Sequence, residues 1–321
     1  MSILSYPAHT TEPMSGLALM SSLITGKLIP GKMWNKPAYR FKFLMRSLLY
    51  PLATLRVMNQ LANHPLREEI LQAQPTLPCK VHRPYLAVNM TREQHVSGLC
   101  DHYRFVRERM PLPMQMAHLN KALLKIASFN GKDESTYCIS MNAYQRLDKE
   151  GEITLSFVND AGTALANVTF SFINYDSQPT LFIGAIQGPA QDVDHQHIQQ
   201  ATKACHGLFP KRILMEAVLL LAEKMNMKQV FAVGNKTHIY ESPRYNKRKQ
   251  YFYADYDAFW ETLGAHRHEN GYFHFPTQVP HKSLADIASK KRAEYRRRYE
   301  LLDEMETQIR HHFAKMPSKT L

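Results

Sequence analysis

The chain has 321 residues, 44% of them hydrophobic and 10% aromatic, which excludes a disordered or fibrous protein and leaves enough apolar mass for a sizeable core. Forty Lys and Arg against 28 Asp and Glu give a formal net charge of +12, a surplus that favours anionic partners. Four widely spaced cysteines (Cys79, Cys100, Cys138, Cys205) with no CxxC pair exclude a zinc ribbon and a disulfide framework, and suit reduced thiols in a cytoplasmic protein.

Residues 1–35 carry Pro7, Pro13, Pro30 and Gly31 without clear periodicity, and read as a poorly ordered or loosely docked leader. No Lys or Arg precedes Lys27, so the basic start of a secretory signal is missing. The apolar stretch Gly16–Ile29 is interrupted by Ser21, Ser22, Thr25 and Lys27, and falls short of the ~20 residues that span a bilayer. Ala217–Ala222, flanked by Glu216, Glu223 and Lys224, fits a buried helix instead.

Residues 36–130 read as a helical region. Arg40–Met58 has apolar residues at helical spacing, and Pro51 should kink or split it. Thr91–Arg109 opens with Thr91 and Gln94, a capping-box pair. Met114–Ala127 is a further predicted helix. From Glu134 the period changes to two. Thr136–Tyr144, Ile153–Val158 and Ala164–Phe172 predict an antiparallel meander, with turns at Val158–Gly162 and Asn174–Pro179. A stronger strand, Thr180–Gln187, stops at Gly188-Pro189. Helices follow over Val193–His206 and Lys211–Met225, separated by Gly207 and Pro210, which suit a helix end and a helix start. Gln229–Val233 is a short strand, parallel to the previous one through the helical crossover. Lys282–Lys315 reads as one long charged helix. The chain is therefore α+β: a mixed, mainly antiparallel sheet with flanking helices over 131–280, preceded by the helical region and followed by a basic C-terminal helix over 281–321.

Familiar chemical signatures are missing. There is no GxxxxGK[ST], no GxGxxG after a strand, no HExxH and no GxSxG, which removes the simplest readings as an NTPase, a dehydrogenase, a zincin or an α/β-hydrolase. Two segments carry candidate chemistry instead. The first is the corner Thr202–Arg212. Lys203, His206, Gly207, Lys211 and Arg212 gather at a helix N-terminus, where exposed backbone N–H groups and cations would suit a phosphate or pyrophosphate. The alternative is a solvated helix–helix corner. Cys205 and His206 are adjacent on a helix and point about 100° apart, so they do not form a nucleophile–base pair.

The second segment is His238–Lys249, after the strand ending at Val233. Ligands favour loops at the carboxyl ends of strands in open sheets. There His238 would serve as general base, Tyr240 as proton donor or stacking surface, and Arg244, Lys247 and Lys249 as contacts for a charged substrate. Gln187, at the end of the long strand, is a further polar contact. Asp255 and Asp257 are candidate carboxylate bases. Asp257 is also placed to cap a helix carrying Phe259, Trp260 and Leu263 into the core, and with Asp255 and Glu261 it reads as an ion-pair partner rather than a metal ligand.

These residues carry a resemblance. Ile183-Gly-Ala-Ile-Gln187-Gly188-Pro189, Thr202-Lys203 with His206-Gly207-Leu208 and Pro210-Lys211, Ala232-Val233-Gly-Asn235 with His238, and Asp255-Tyr256-Asp257 with Trp260-Glu261 and Leu263-Gly264 are similar to the VirK/YbjX family of Gram-negative bacteria, from Lys42 to Phe275. The resemblance implies an envelope- or virulence-related role without naming a reaction. It also implies an outer-membrane protein as client and peripheral contact with the inner membrane. Two positions depart from the pattern: Phe209, where a basic residue is common, and Ala265 in place of a second glycine.

The element order also resembles an N-acetyltransferase-like (GNAT) fold, which holds the pyrophosphate of an acyl-CoA at the crossover helix, here at Gly207–Arg212. The Gly-rich loop of that fold is absent, and an extra helix intervenes. The analogy implies an acyl thioester, from acyl-CoA or acyl carrier protein, on Lys211, Arg212 and backbone amides. His238, Asp255 or Asp257 would deprotonate an amine or hydroxyl acceptor, and Tyr240 would protonate the thiolate. Three expectations follow: an acyltransferase-like enzyme acting on an envelope component or protein, a non-enzymatic factor that binds an outer-membrane protein or the membrane surface through its basic face and assists surface display, and, last, a nucleic-acid binder. The basic runs of the C-terminal helix are interleaved with Glu294, Glu300, Asp303 and Glu304, and no nucleic-acid motif accompanies them.

Overall fold

The computed structural model describes residues 13–119, 124–143, 145–245, 255–276 and 281–314. Helices come first: α1 (Gly16–Thr25), α2 (Pro37–Leu49), α3 (Pro51–Ala62), α4 (Arg67–Ala73), α5 (Arg92–Arg109) and α6 (Leu112–Leu119). Pro37 and Pro51 occupy first turns, where the missing N–H leaves no backbone bond unmade, so Pro51 splits the predicted helix instead of bending it. The capping box at Thr91 forms, with Gln94 N–H donating to Thr91 Oγ1 and Thr91 N–H to Gln94 Oε1.

Two expectations are corrected. Residues 13–35 are docked, not loose: Leu19, Leu23 and Trp34 are buried, Gly16 N–H donates to Asn59 Oδ1, and Trp34 Nε1 donates to Pro75 O. The predicted helix Met114–Ala127 ends at Leu119, and strand β1 (Leu124–Asn130) begins soon after.

The sheet continues with β2 (Thr136–Asn142), β3 (Ile153–Val158), β4 (Ala164–Tyr175), β5 (Gln178–Gln187), β6 (Gln229–Ala232), β7 (His266–Arg267) and β8 (Phe273–His274). Its spatial order is β1-β2-β3-β4-β5-β6-β8-β7. β1 to β5 form the antiparallel meander, and β4 turns into β5 through Asp176 and Ser177, both at positive φ as a primed two-residue hairpin requires. β5 and β6 are parallel. They are joined by α7 (His195–Ala204) and α8 (Pro210–Lys224). α9 (Tyr256–Thr262) leads into the β7–β8 hairpin, and α10 (Ser289–Ala314) closes the fold.

Every residue of β3 is buried, so both faces of the sheet are covered. α5 packs on β4, α8 packs on β3, β4 and β5, and α10 lies along β1 and α8. The protein is α+β with a mixed, mainly antiparallel sheet and a long C-terminal helix, as its sequence predicts. That last helix starts at Ser289 rather than Lys282, after a short turn at Leu284–Asp286.

Candidate functional site

β5 and β6 pair only from Thr180↔Gln229 to Ile183↔Ala232, closed by Val233 N–H donating to Ile183 O. Beyond that point β5 continues along β4 to Gln187 while the chain after β6 turns away. The carboxyl ends of two parallel strands part here, the place where open sheets take ligands. β5 also carries an extra residue at this level, since Phe170 pairs with Ile183 and Thr169 with Ala185. The extra residue is Gly184. The Glu150 carbonyl sits where its Cβ would be, so only glycine lets the turn before β3 approach so closely.

Glu150, Gln187, His238 and Tyr256 meet in this gap. Gln187 Nε2 donates to Glu150 Oε1 at 3.4 Å, and His238 Nε2 lies 3.8 Å from the same oxygen. His238 Nδ1 accepts the Tyr240 N–H at 3.3 Å, so in the neutral ring Nε2 carries the hydrogen and faces the carboxylate. Burial pushes the His238 pKa down to about 3, which keeps the ring neutral. The Tyr256 hydroxyl accepts the Ile186 N–H at 3.2 Å. Burial, reinforced by the charge of Glu150, holds that hydroxyl well above its ordinary pKa, so it keeps its proton. Tyr240 and Tyr256 both stand edge-on to the His238 ring, at 5.0 and 5.3 Å between centroids.

The second feature is a cleft of about 920 Å³ between the α7–α8 corner, α9 and the start of α10. Leu165, Ile198, Leu208, Phe259, Leu263 and Leu302 give it apolar walls, while Lys203, Lys211, Arg212, Lys282 and Arg298 give it cations. The corner is held open by His206 and Gly207, both at positive φ, and Arg298 clamps it by donating to His206 O from Nε and Nη2 at 3.1 and 2.9 Å. A side chain at Gly207 would come 2.8 Å from Arg298 Nη2, so the glycine is needed for the approach of α10 as well as for its φ of +79°. Glu216 accepts from Arg212 Nε at 3.2 Å and lies 3.1 Å from His281 Nε2. Lys211 has no carboxylate partner among the described residues. Its Nζ lies 5.7 Å from the Phe259 ring centroid, and burial lowers its pKa. The cleft therefore keeps an excess of positive charge beside apolar walls.

α9 joins the two features. Tyr256 at its start reaches the gap, Phe259 and Leu263 line the cleft, and Trp260 between them donates its Nε1–H to Val233 O at 2.8 Å. Asp255, not Asp257, is the N-cap, accepting from Ala258 N–H. Asn235 ties this end down: its N–H donates to Asp257 Oδ1, its Nδ2 to Asp255 Oδ1, and its Oδ1 accepts from Tyr256 N–H. Asp257 also meets Arg267 at 2.8 Å. The two aspartates thus hold the first turn of α9.

The predicted site residues do not come together in one place. Lys203, Gly207, Lys211 and Arg212 line the cleft, and His206 braces its corner. Gln187, His238 and Tyr240 meet at the strand gap. Arg244 is exposed on a separate turn, where its charge acts on His82 rather than on either feature. Lys247 and Lys249 lie outside the described residues. Sequence reasoning gave no role to Glu150 or Tyr256. Glu150 sits in the polar run Asp148-Lys-Glu-Gly-Glu152, which reads as a solvated turn, and only its neighbour Gly151 hints at a close approach.

A mixed sheet whose parallel pair opens over a buried carboxylate, beside a cationic and apolar cleft, defines the class of this protein. The chain belongs to the family described as protein of unknown function (DUF535), whose model matches residues 32–311. It is 43% identical over 299 residues, 93% of this chain and 91% of the relative, to the uncharacterized protein YbjX of Escherichia coli strain K12, in line with the VirK/YbjX resemblance. An uncharacterized protein of Haemophilus influenzae is 37% identical over 161 residues, 50% of this chain and 52% of the relative. A protein of Mannheimia haemolytica named membrane protein LapB is 23% identical over 197 residues, 61% of this chain and 83% of that one.

Proposed function

We propose that the protein is an acyltransferase that takes an acyl thioester, acyl-CoA or acyl carrier protein, and passes the acyl group to an amine or hydroxyl of an envelope component. The observation that carries this reading is the cleft of about 920 Å³ with cations at the first turn of the crossover helix and apolar walls behind them. That volume suits a cofactor-sized ligand. Phosphates would sit on Lys211, Arg212 and the first N–H groups of α8, and the apolar walls would take the thioester arm and acyl chain.

In this mechanism the thioester reaches from the cleft into the strand gap, which is closed in the free protein; there the acceptor's lone pair attacks its carbonyl, and the acceptor's proton passes to the Glu150 carboxylate. The tetrahedral intermediate collapses with loss of the C–S bond, and the departing thiolate takes the proton held on Glu150, which restores the carboxylate. Tyr256 keeps its own proton throughout. His238, neutral and with Nε2–H facing the carboxylate from 3.8 Å, helps to orient Glu150 and is a weak base itself, because burial holds its pKa at about 3. Tyr240 packs against His238.

Binding of palmitoyl-CoA and acyl carrier protein, followed by calorimetry, and thiol release with an added amine acceptor test the reading. Lys211→Ala should weaken binding about tenfold or more, since a charge-assisted contact contributes about 1.5–3 kcal/mol. Glu150→Gln should bind normally and release no thiol. Absence of saturable donor binding by folded protein overturns the proposal. A second reading, a non-catalytic envelope factor that holds an anionic amphiphile in the same cleft, is favoured by the name membrane protein LapB of the Mannheimia haemolytica relative. Donor binding by the wild type with no thiol release would select it.

A further inference from the structure

We propose that the outer face of α2 and the start of α3 is a docking surface for an anionic phospholipid bilayer. Nine large apolar side chains stand exposed among the described residues, and seven of them fall between Leu17 and Leu52. Phe41, Met45 and Leu48 repeat at intervals of four and three along α2, which places them on one helical stripe, with Leu49 at its margin. Leu52, in the first turn of α3, is 82% exposed, Leu49 70% and Phe41 61%. The opposite side of α2 is spoken for: Phe43 and Ser47 are buried, and Phe43 packs edge-on to Trp34. The inner face fixes the helix, so the outward stripe is not needed to hold the fold.

Charge identifies the occupant. From Pro13 to Arg67 the sequence has eight Lys and Arg and no Asp or Glu. Lys42 and Arg40 follow and precede Phe41 and stand about 100° to either side of it on the helix. None of Lys27, Lys32, Lys36, Arg40, Lys42 and Arg46 makes an ion pair with a described residue. Arg92, packed over the Tyr50 ring at 3.5 Å, adds to the same field, and with Arg46 and Arg244 it helps to lower the pKa of His82 beneath, after the larger effect of burial. An apolar stripe flanked by unpaired cations matches the headgroup layer of an acidic bilayer, where the stripe enters the acyl boundary and the cations meet lipid phosphates. No described helix is long and apolar enough to cross a membrane, so this contact lies on the surface.

Flotation of the full chain with phosphatidylcholine vesicles, and with vesicles that also carry phosphatidylglycerol, tests the assignment. Binding is expected only to the second, and should weaken as salt rises. Leu48→Asp/Leu52→Asp should lose at least tenfold in partition with an unchanged melting temperature, whereas Leu112→Asp, exposed elsewhere, should leave it intact. In Phe41→Trp the emission should shift to the blue on binding, against buried Trp34 and Trp260. No partition into anionic vesicles, or partition unaffected by the double substitution, overturns the proposal. A dimer that the double substitution dissociates, without vesicle binding by the wild type, also overturns it and makes the face a protein interface. Lys211→Ala should leave vesicle binding unchanged, which separates this surface from the donor cleft.

Discussion

Lys80 and Glu152 stand 72 residues apart and meet at 2.5 Å with both side chains out of solvent. Tyr103 donates its hydroxyl to the other Glu152 oxygen at 2.7 Å, and Glu152 N–H donates to Ser171 Oγ, which also meets the Tyr85 hydroxyl at 2.8 Å. Burial lowers the Lys80 pKa, and the charges of Glu152 and Asp148 oppose that shift. Removing one partner of such a pair strands the other in a low-dielectric interior. Lys80→Met should therefore cost about 3–5 kcal/mol in urea unfolding, and adding Glu152→Gln should recover most of it. A loss below about 1 kcal/mol for the single substitution would mean the charges are not balanced against each other. No sequence pattern announces this pair, because its partners belong to a short helical turn and to the bend just before β3, which only the folded topology brings together. The same limit explains the site. His238 was legible as a residue of interest from its type and its place after a core strand. Its orientation toward Glu150 depends on a turn that approaches β5 from 37 residues away in sequence, so the carboxylate itself was hidden.

The parallel crossover and the meander were readable from period-two runs bounded by turn residues, and Pro51 from its fixed geometry. β1 was not, because LKIASFN follows a helix closely and its apolar residues also fit a helical period; the sheet decides between the two. β1 is an edge strand, and α10 covers it. Gln308 completes the cover by mimicking a neighbouring strand: its Nε2 donates to Ser128 O at 2.6 Å and its Oε1 accepts the Ser128 N–H at 2.8 Å. Two backbone groups on an edge strand are thereby satisfied by one side chain. Gln308→Ala should cost about 1–2 kcal/mol and speed amide exchange at Ser128 while leaving the β2–β3 amides protected. Unchanged exchange at Ser128 would show that water replaces the side chain without loss. The long helix reads from its sequence as a charged element that follows the sheet. Leu301, Leu302, Met305 and Ile309 are buried, so it is part of the core, and its sparse apolar spacing is what a helix with one buried stripe requires.

At the scale of the whole molecule, burial of imidazoles sets the response to acid. His64, His82, His95 and His118 are each pushed down to about 4, and His238 to about 3, in every case chiefly by burial. His102, wholly buried and stacked on Phe172, lies well below its ordinary value for the same reason. In the unfolded chain these rings titrate near 6.5. A group whose folded pKa is depressed favours the folded state above its unfolded pKa, and that contribution is lost as pH falls toward the folded value. Each ring thus removes up to about 1.4 kcal/mol per pH unit below 6.5, and six acting together can exhaust a net stability of about 5–15 kcal/mol. Carboxylates enter later. Burial alone would raise the Asp148 pKa, but Lys80, Arg83 and Lys149 outweigh it and hold the group well below the usual range. The melting temperature should be level from pH 8 to 7 and fall steeply between pH 6.5 and 5, with several protons taken up on unfolding. A melting temperature that stays flat to pH 5 would mean that these rings are protonated in the fold, with partners or water admitted to sites that here are closed. On the acyl transfer proposed above, the same titration bears on the strand gap, because charging His238 puts a cation against Glu150 and pulls the carboxylate away from the proton-acceptor role proposed for it; any thiol release should therefore fail at the acid end no later than the fold does.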